Sequence, residues 1–254
     1  MPGNIQSIER AATILRLLSG RNRRLGVVDI AGEMGLSKGT VHGLLRTLQS
    51  VGFVERDADS GKYQLGAALL HMGSSYLDGN ELRTRALNWS DSLATRTREA
   101  VRIGTLHEDR VLVVHHVFRP DDTLQTLDVG SLLPAHATAL GKVLLAHHPY
   151  VASALATNGL ETYTAATITD PARLERELER VRSQGWAADI GELVSGQVSY
   201  AAPIVDRRGT TVGAMGIFGP PERLLAARQP RPDLLSYVRE GARSVSRELG
   251  AIPW

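Results

Sequence analysis

Residues 27–65 read VVDIAGEMGLSKGTVHGLLRTLQSVGFVERDADSGKYQL, and this stretch decides the fold of the N-terminal part of the chain. It contains a short helix pattern, a tight turn, a longer helix pattern and two short alternating runs. Gly35 stands where the first helix must end, and glycine tolerates the left-handed backbone of a helix C-terminus. Ser37 is a natural N-cap for the second helix. The order of these features predicts a winged helix-turn-helix.

The second predicted helix has two different faces. Its apolar residues recur at helical spacing and form a stripe that we expect to be buried: Val41, Leu44, Leu45, Leu48 and Val51. The opposite face is small, polar or basic, which lets a helix lie close in the major groove of DNA. We therefore predict that DNA is contacted by Ser37, Lys38, Gly39, Thr40, His42, Gly43, Arg46, Thr47 and, on the wing, Lys62. The alternatives are a merely solvated face or a helix-turn-helix that binds protein.

A wing follows the second helix directly. Two alternating runs, 53–56 and 62–65, flank a turn rich in Asp, Ser and Gly over 57–61. This pattern predicts a β-hairpin, whose tip can touch phosphates or the minor groove. Upstream, the segment 21–24 carries three arginines. It is either a further contact to the DNA backbone or a plain solvated turn.

Positive charge is concentrated in this part of the chain. The whole sequence has a net charge of +2, whereas residues 1–65 hold nine Lys and Arg against six Asp and Glu. Electrostatic capture of phosphates requires such an excess. Because the excess of positive charge is small, a single winged helix-turn-helix, called the reader below, would bind DNA weakly. We therefore expect a dimer that presents two readers to one DNA site.

Composition bounds the remaining functions. With 254 residues the chain is long enough for two domains, and it has no cysteine, which excludes disulfides, thiolate catalysis and cysteine-bound metal. No apolar run approaches a membrane span and the N-terminus lacks a signal-peptide core, so we expect a cytoplasmic protein. Without a nucleophile elbow or a Gly-rich phosphate loop, we expect neither catalysis nor a cofactor. The adjacent pairs His115-His116 and His147-His148 are poor metal candidates, because neighbours on a strand point to opposite faces.

Beyond residue 65, helix and strand patterns alternate. A helical linker is predicted over 66–80, followed by helices over 81–98, 138–146, 151–156, from Asp170 to the stop signal at Gly185, and over 221–249. Strands are predicted over 101–107, 110–118, 124–129, 186–190, 198–205 and 211–218. The pair Asp121-Asp122 is a turn by composition. Together these patterns predict an α+β domain with a mixed-direction sheet flanked by helices.

Four motifs in order resemble the successive signatures of IclR-type bacterial transcription regulators. They are SIERAATILRLL (7–18), SKGTVHGLLRTL (37–48), LPAHATALGKVLLA (133–146) and GWAADIGELVSGQVSYAAPI (185–204). The resemblance covers nearly the entire chain. It implies a winged helix-turn-helix over 4–65, a helical linker over 66–80 and a GAF-like, mixed-sheet effector domain over 81–254, assembled as a homodimer or a dimer of dimers. It also implies that a small metabolite alters the affinity for operator DNA.

The same resemblance implies where the metabolite binds. In the family the pocket is lined by a loop entering a helix, by an Asp and by a small residue, positions held here by Ala139, Leu140, Asp189 and Ser199. A helix N-terminus presents unpaired N–H groups and a positive dipole end, so 136–141 suits an anionic or hydroxylated ligand, with Asp189 accepting from hydroxyls. Gly191 replaces an acid common in the family, leaving Glu192 alone. Phe218 is expected to narrow the pocket.

Within the family, the segments HGLLRTLQSVGFVERDADSGKYQLG and VLVVHHVFRPDD resemble most the regulators of glycerol operons. This implies repression relieved by glycerol 3-phosphate or glycerol. A phosphate asks for a nearby cation, and Lys142 and Arg102 are the candidates, although Lys142 also fits an ordinary ion-pair lysine. Two other hypotheses stay open: an enzyme with an appended DNA reader, and an architectural DNA binder whose second domain only dimerises.

Overall fold

The computed structural model describes residues 5–20, 24–121 and 123–251. The chain divides into two compact units, Met1–Gly79 and Asn80–Trp254. Residues 21–23 of the predicted basic loop and the second residue of the predicted 121–122 turn lie outside the described residues. The finer division, with a separate linker over 66–80, stays a prediction.

The first unit is a winged helix-turn-helix followed by one more helix. Its elements are α1 (Gln6–Ser19), α2 (Val27–Met34), α3 (Lys38–Ser50), β1 (Val54–Arg56), β2 (Tyr63–Leu65) and α4 (Ala67–Asp78). Its core is formed by Ile14, Leu18, Ile30, Ala31, Val41, Leu45, Leu48, Val54 and Tyr63. The predicted stripe of α3 is wrong at one end, because Val51 is the C-cap residue, has left the helical spacing and is exposed.

The turn between α2 and α3 follows from two residues, as predicted. Gly35 adopts a left-handed conformation with φ 62°, and its N–H donates to the carbonyl groups of Ala31 and Gly32. The Ser37 hydroxyl accepts a hydrogen bond from the Thr40 N–H at 3.2 Å and so caps α3. These two local interactions set the direction in which α3 leaves the turn.

The second unit is an α+β domain, so the predicted fold class is confirmed. Its helices are α5 (Glu81–Thr97), α6 (Ala139–His147), α7 (Pro149–Asn158), α8 (Pro171–Gln184), α9 (Pro221–Leu224) and α10 (Pro232–Glu248). Its strands are β3 (Ala100–His107), β4 (Arg110–Val117), β5 (Leu132–Pro134), β6 (Ala187–Ile190), β7 (Val198–Val205), β8 (Thr211–Gly219), β9 (Leu225–Ala226) and β10 (Gln229–Pro230).

The main sheet has the strand order β5-β4-β3-β8-β7-β6. Every pairing in it is antiparallel, so the predicted mixed direction is wrong. Hairpins join most neighbours, and one long crossover carries the chain from the β5 edge to the β6 edge. Helix α6 covers one face, where Ala214 belongs to its core cluster, whereas the next residue, Met215, lies beside Gly241 of α10 on the other face.

Two predicted elements of the second unit are wrong. Residues 124–129 form no strand: the Asp128 N–H donates to the Nδ1 atom of His116 instead of to a neighbouring strand, and Leu124 is fully exposed. The predicted helix over 221–249 is divided, because Ala227 and Arg228 adopt left-handed conformations in the turn between β9 and β10. Pro232 then begins α10 at the first helical position, where proline is favoured.

Candidate functional site

The α3 face, defined as the exposed side of α3 with its N-cap, carries most of the residues predicted to contact DNA. Ser37, Lys38, Gly39, Thr40, His42, Arg46 and Thr47 are exposed there, Gly43 is half-buried, and Lys62 is exposed on the wing. In the described part of the chain, the side chains of Lys38, His42 and Arg46 have no hydrogen-bond or ion-pair partner. The face is therefore free to meet another molecule.

Two glycines on the α3 face serve no packing purpose within the unit. A Cβ added at Gly43 would meet no atom within 4 Å, and one at Gly39 would meet only the Ser37 hydroxyl at 3.9 Å. Glycine inside a helix costs about 1 kcal/mol relative to alanine. These two positions therefore leave bare backbone on the α3 face, and bare backbone lets a helix approach a surface closely.

The wing is held by its own polar groups. The Arg56 Nε atom donates to the Gly61 carbonyl at 3.1 Å, and its guanidinium lies 5.8 Å from the Tyr63 ring. Arg24, the described part of the predicted basic loop, forms an ion pair with Asp57 at 3.0 Å. These arginines are committed to the wing, whereas Lys62 is left exposed.

A second site lies on the α6 face of the main sheet. Asp189 of β6 and Ser199 of β7 are direct register partners, and Phe218 of β8 is the next partner of Ser199. With Leu140 of α6 these residues enclose the inner cavity, whose volume is about 20 Å³. Its lining comprises Arg102, Leu133, Thr138, Leu140, Asp189, Leu193, Gln197, Ser199, Tyr200, Gly216, Ile217 and Phe218.

Asp189 supplies an acidic side chain to the inner cavity. It is only 3% exposed, and burial raises its pKa to about 6. Its carboxylate accepts the Glu192 N–H at 2.7 Å and the Ser199 hydroxyl at 3.4 Å. The carboxylate is therefore positioned to accept a hydrogen bond from a hydroxyl group in the cavity.

The N-terminus of α6 is fixed by a close backbone approach. The Thr138 hydroxyl accepts the Gly141 N–H at 3.1 Å and donates to the Pro134 carbonyl at 3.0 Å. A Cβ at Gly141 would lie 2.1 Å from the Ala135 carbonyl oxygen, so no other residue fits there. Of the two positions predicted on this helix, Leu140 lines the inner cavity and Ala139 packs into the core.

Lys142, one of the two predicted phosphate ligands, does not line the inner cavity. It is 1% exposed, bonds to the Glu192 carboxylate and lies 3.7 Å from that of Glu177. Burial raises the pKa of Glu192, and the Lys142 charge opposes this shift. The structure therefore gives Lys142 a buried ion pair, the alternative recognised from the sequence.

Arg102, the other predicted cation, lies at the inner cavity. Its Nε and Nη2 atoms both bond to one oxygen of Asp128, at 2.8 Å for Nε. Its guanidinium carbon lies 3.4 Å from the centre of the Phe218 ring. Sequence reasoning missed Asp128 because it lies in the segment predicted as a strand. In the sequence, the positive charge of Arg102 was the only indication that this residue belongs to the site.

A larger outer groove, of about 460 Å³, adjoins the inner cavity. The two share Arg102, Gln197 and Phe218. His116, Arg119, Gln125, Thr126 and Asp128 also line the outer groove. Arg102 and Phe218 therefore form a wall between the two spaces.

Residues 5–20, 24–121 and 123–251 form neither a metal site nor a membrane-spanning helix. They contain no group of three or more His, Cys, Asp or Glu side chains arranged to hold a metal ion. In the same ranges, no helix combines the length and the apolar character that crossing a membrane requires.

Comparison with known proteins gives consistent matches along the chain. The family described as "Bacterial transcriptional regulator IclR C-terminal" matches residues 74–247, and "IclR helix-turn-helix domain" matches residues 7–58. The sequence is 53% identical over 251 residues to the glycerol operon regulatory protein of Streptomyces coelicolor, covering 99% of each chain.

Solved structures agree along the whole length. A transcriptional regulator from Alicyclobacillus acidocaldarius superposes with a TM-score of 0.80 at 27% identity, covering 98% of this chain and 100% of that one. An IclR homologue from Microbacterium hydrocarbonoxydans, solved with 4-hydroxybenzoate, has a TM-score of 0.80 at 25% identity, covering 96% of this chain and 99% of that one.

Proposed function

Because the chain belongs to the IclR family of bacterial transcription regulators, we propose that it represses a glycerol catabolic operon and releases its operator on binding a small metabolite such as glycerol 3-phosphate. The protein is a ligand-responsive DNA-binding regulator and not an enzyme. Its relatives are likewise transcription regulators. The identity of 53% to a glycerol operon regulatory protein supports the choice of operon.

The exposed, unpartnered α3 face is the observation that carries the DNA-binding part of this proposal. Its basic and polar side chains are free, and its two glycines leave bare backbone for a close approach to base edges. We propose that two α3 helices enter successive major grooves of a near-palindromic operator in the cytoplasm, with half-sites about one helical turn apart.

Two readers on one operator require a dimer. Helix α4 buries none of its residues, and it exposes Leu70 at 75%, Met72 at 55% and Tyr76 at 55%. Large apolar side chains on one helix favour pairing with another surface. We propose a homodimer, able to pair into a dimer of dimers. Sedimentation of the wild-type protein and a Met72→Lys variant tests this, with dissociation of the variant as the expected result.

The effector is proposed to bind at the inner cavity. Asp189 and Ser199 offer partners for hydroxyl groups, and α6 directs its N-terminus to the same place. The Microbacterium relative, solved with 4-hydroxybenzoate, supports a small-molecule site in a protein of this fold. Coupling between effector and operator need not be large, because a hundredfold change in operator affinity corresponds to about 2.7 kcal/mol.

The deciding experiment measures binding to DNA from upstream of the protein's own gene and its neighbours by fluorescence anisotropy. Glycerol 3-phosphate, glycerol and several small carboxylates are titrated into the complex. Release of a specific fragment by glycerol 3-phosphate is the expected result. Specific DNA binding that changes only with another metabolite would contradict the assignment to a glycerol operon. Sequence-independent DNA binding that no metabolite changes would favour an architectural DNA binder.

A further inference from the structure

As it stands in this structure, the inner cavity is smaller than the ligands proposed above, so it must open before they can enter. A volume of about 20 Å³ accommodates about one water molecule. Glycerol has six heavy atoms, so it needs more space than the inner cavity provides. The outer groove, at about 460 Å³, has that space and is separated only by the wall that Arg102 and Phe218 form.

Arg102 has unused hydrogen-bonding capacity at this wall. Two of its nitrogens share a single Asp128 oxygen, and its Nη1 atom has no partner among the described residues. A guanidinium can bind a phosphate or carboxylate through two parallel N–H donors. Arg102 lines both spaces, so a group bound to it could extend into either.

His116 supplies a second, independent observation. Its side chain is 1% exposed and lines the outer groove, between the rings of Phe118 and Phe218. Its Nδ1 atom accepts the Asp128 N–H at 3.1 Å, which places the ring proton on Nε2. Nε2 is buried and has no partner within the described part of the chain. A buried donor without an acceptor is costly, and an anion that reaches Nε2 when the neighbouring Phe218 ring moves would satisfy it.

The charges that face the outer groove favour Arg102 as the anion ligand. Arg119 also lines the groove, but its Nε atom bonds to Asp121. Asp128 is the acid that borders the groove, and it is already bonded to Arg102. An anion that replaces Asp128 on Arg102 therefore exchanges one carboxylate for another negative group, without leaving the guanidinium buried and unpaired.

We propose that the outer groove binds the anionic end of the effector, with Arg102 and His116 as the residues that recognise it and Phe218 as the side chain that moves to open the inner cavity to the hydroxyl groups. This inference rests on the proposed function and specifies its ligand as a hydroxylated metabolite carrying phosphate or carboxylate. Binding transfers Arg102 from Asp128 to the ligand. The segment that holds Asp128 thereby loses its ion pair.

The test measures ligand binding by isothermal titration calorimetry on the full chain without DNA. The probes are glycerol 3-phosphate, glycerate, glycerol and inorganic phosphate, and the variants are Arg102→Gln, Arg102→Lys and Phe218→Leu. Arg102→Gln is expected to weaken glycerol 3-phosphate binding about 10- to 100-fold, and to weaken glycerol binding much less, because glycerol has no anionic group for Arg102 to hold. Arg102→Lys, which keeps the positive charge, should weaken glycerol 3-phosphate binding less than Arg102→Gln does. Phe218→Leu, which widens the inner cavity, should strengthen glycerol binding.

Arg208→Gln, on the exposed turn before β8, is the matched control for loss of one arginine. Equal weakening of glycerol and glycerol 3-phosphate by Arg102→Gln would overturn the inference, because it would indicate a purely structural role. A wild-type protein that binds glycerol but no anionic probe would overturn it too. Failure of operator binding, with the Arg102 pattern intact, would instead contradict the proposed function alone. A larger loss for glycerate than for glycerol 3-phosphate would identify the anion as a carboxylate.

Discussion

The α3 face and the inner cavity meet different physical demands within one chain. The residues of the α3 face are exposed apart from the half-buried Gly43, and the helix is held by a different set of residues on its opposite side. The residues around the inner cavity are buried, and several also hold the fold: Asp189 anchors the Glu192 backbone, and the neighbouring Lys142 carries a buried ion pair. Residues of the α3 face can therefore change without loss of the fold, whereas changes around the cavity are expected to alter stability.

The largest expected effect is at Lys142. Lys142→Met leaves the Glu192 carboxylate buried without its cation, which typically costs about 3–5 kcal/mol. Urea unfolding followed by tryptophan fluorescence reports the second unit, because Trp89 and Trp186 belong to it and residues 1–79 contain no tryptophan. The double variant with Glu192→Gln should recover much of the loss. A cost below about 1 kcal/mol would show that the cavity region tolerates change as the α3 face does.

A smaller effect, dependent on pH, is expected at Asp189. Its pKa is about 6 in the folded protein, against an ordinary value of 3.8, so the folded state holds the proton more tightly. Stability therefore falls as pH rises from about 4 to 6, by up to about 3 kcal/mol. Asp189→Asn removes this loss and should be the more stable protein at pH 8, with the gap closing near pH 4, as measured by urea unfolding. A gap independent of pH would contradict this account.

The next effect is at Arg46, where function should change and stability should not. Loss of one contact to DNA costs about 1–3 kcal/mol. Arg46→Ala should therefore weaken operator binding about 5- to 150-fold, measured by fluorescence anisotropy, and leave effector binding nearly intact. Arg208→Ala serves as the charge-matched control. If Arg46→Ala also lowers the melting temperature appreciably, the separation of the α3 face from the fold is wrong.

The smallest effect has opposite signs for stability and for binding. Gly43→Ala should stabilise the first unit by about 1 kcal/mol, because the added Cβ meets nothing within 4 Å. It should also weaken operator binding by filling the space that DNA approaches. Gly32→Ala on α2 has equally open surroundings and should stabilise without the loss of affinity. Circular dichroism melting and operator titration of both variants give the comparison, and equal affinity for the two would contradict it.

Local chemistry explains what the sequence predicts well. Gly35 and Ser37 specify the reader's turn by themselves, and Asp170 and Gly185 likewise mark the two ends of α8. The family resemblance derived from four motifs is confirmed. In each case the signal lies within a few residues of the feature that it predicts.

Long-range partners explain what the sequence does not predict. Lys142 pairs with Glu192, fifty residues away in the sequence, and Arg102 pairs with Asp128, which lies beyond a hairpin and a loop. Neither pairing has a local pattern, so the sequence offered both cations as phosphate ligands, with an ion pair as the alternative for Lys142, but it identified neither acidic partner. The predicted helix over 221–249 failed for a related reason, because Ala227 and Arg228 adopt a conformation that their residue types disfavour.

The strand order of the main sheet also has a consequence for the time at which each unit forms. Strands β3 and β8 are central neighbours, yet Arg102 pairs with Gly216 across more than a hundred intervening residues. Such contacts require costly loop closure before they gain any energy, so the second unit is expected to fold slowly. The contacts of the first unit span at most about sixty residues, and this unit leaves the ribosome earlier. A newly made chain is therefore expected to bind DNA before it can bind the metabolite. New synthesis of the protein should then be followed by a brief period of repression that no effector can relieve.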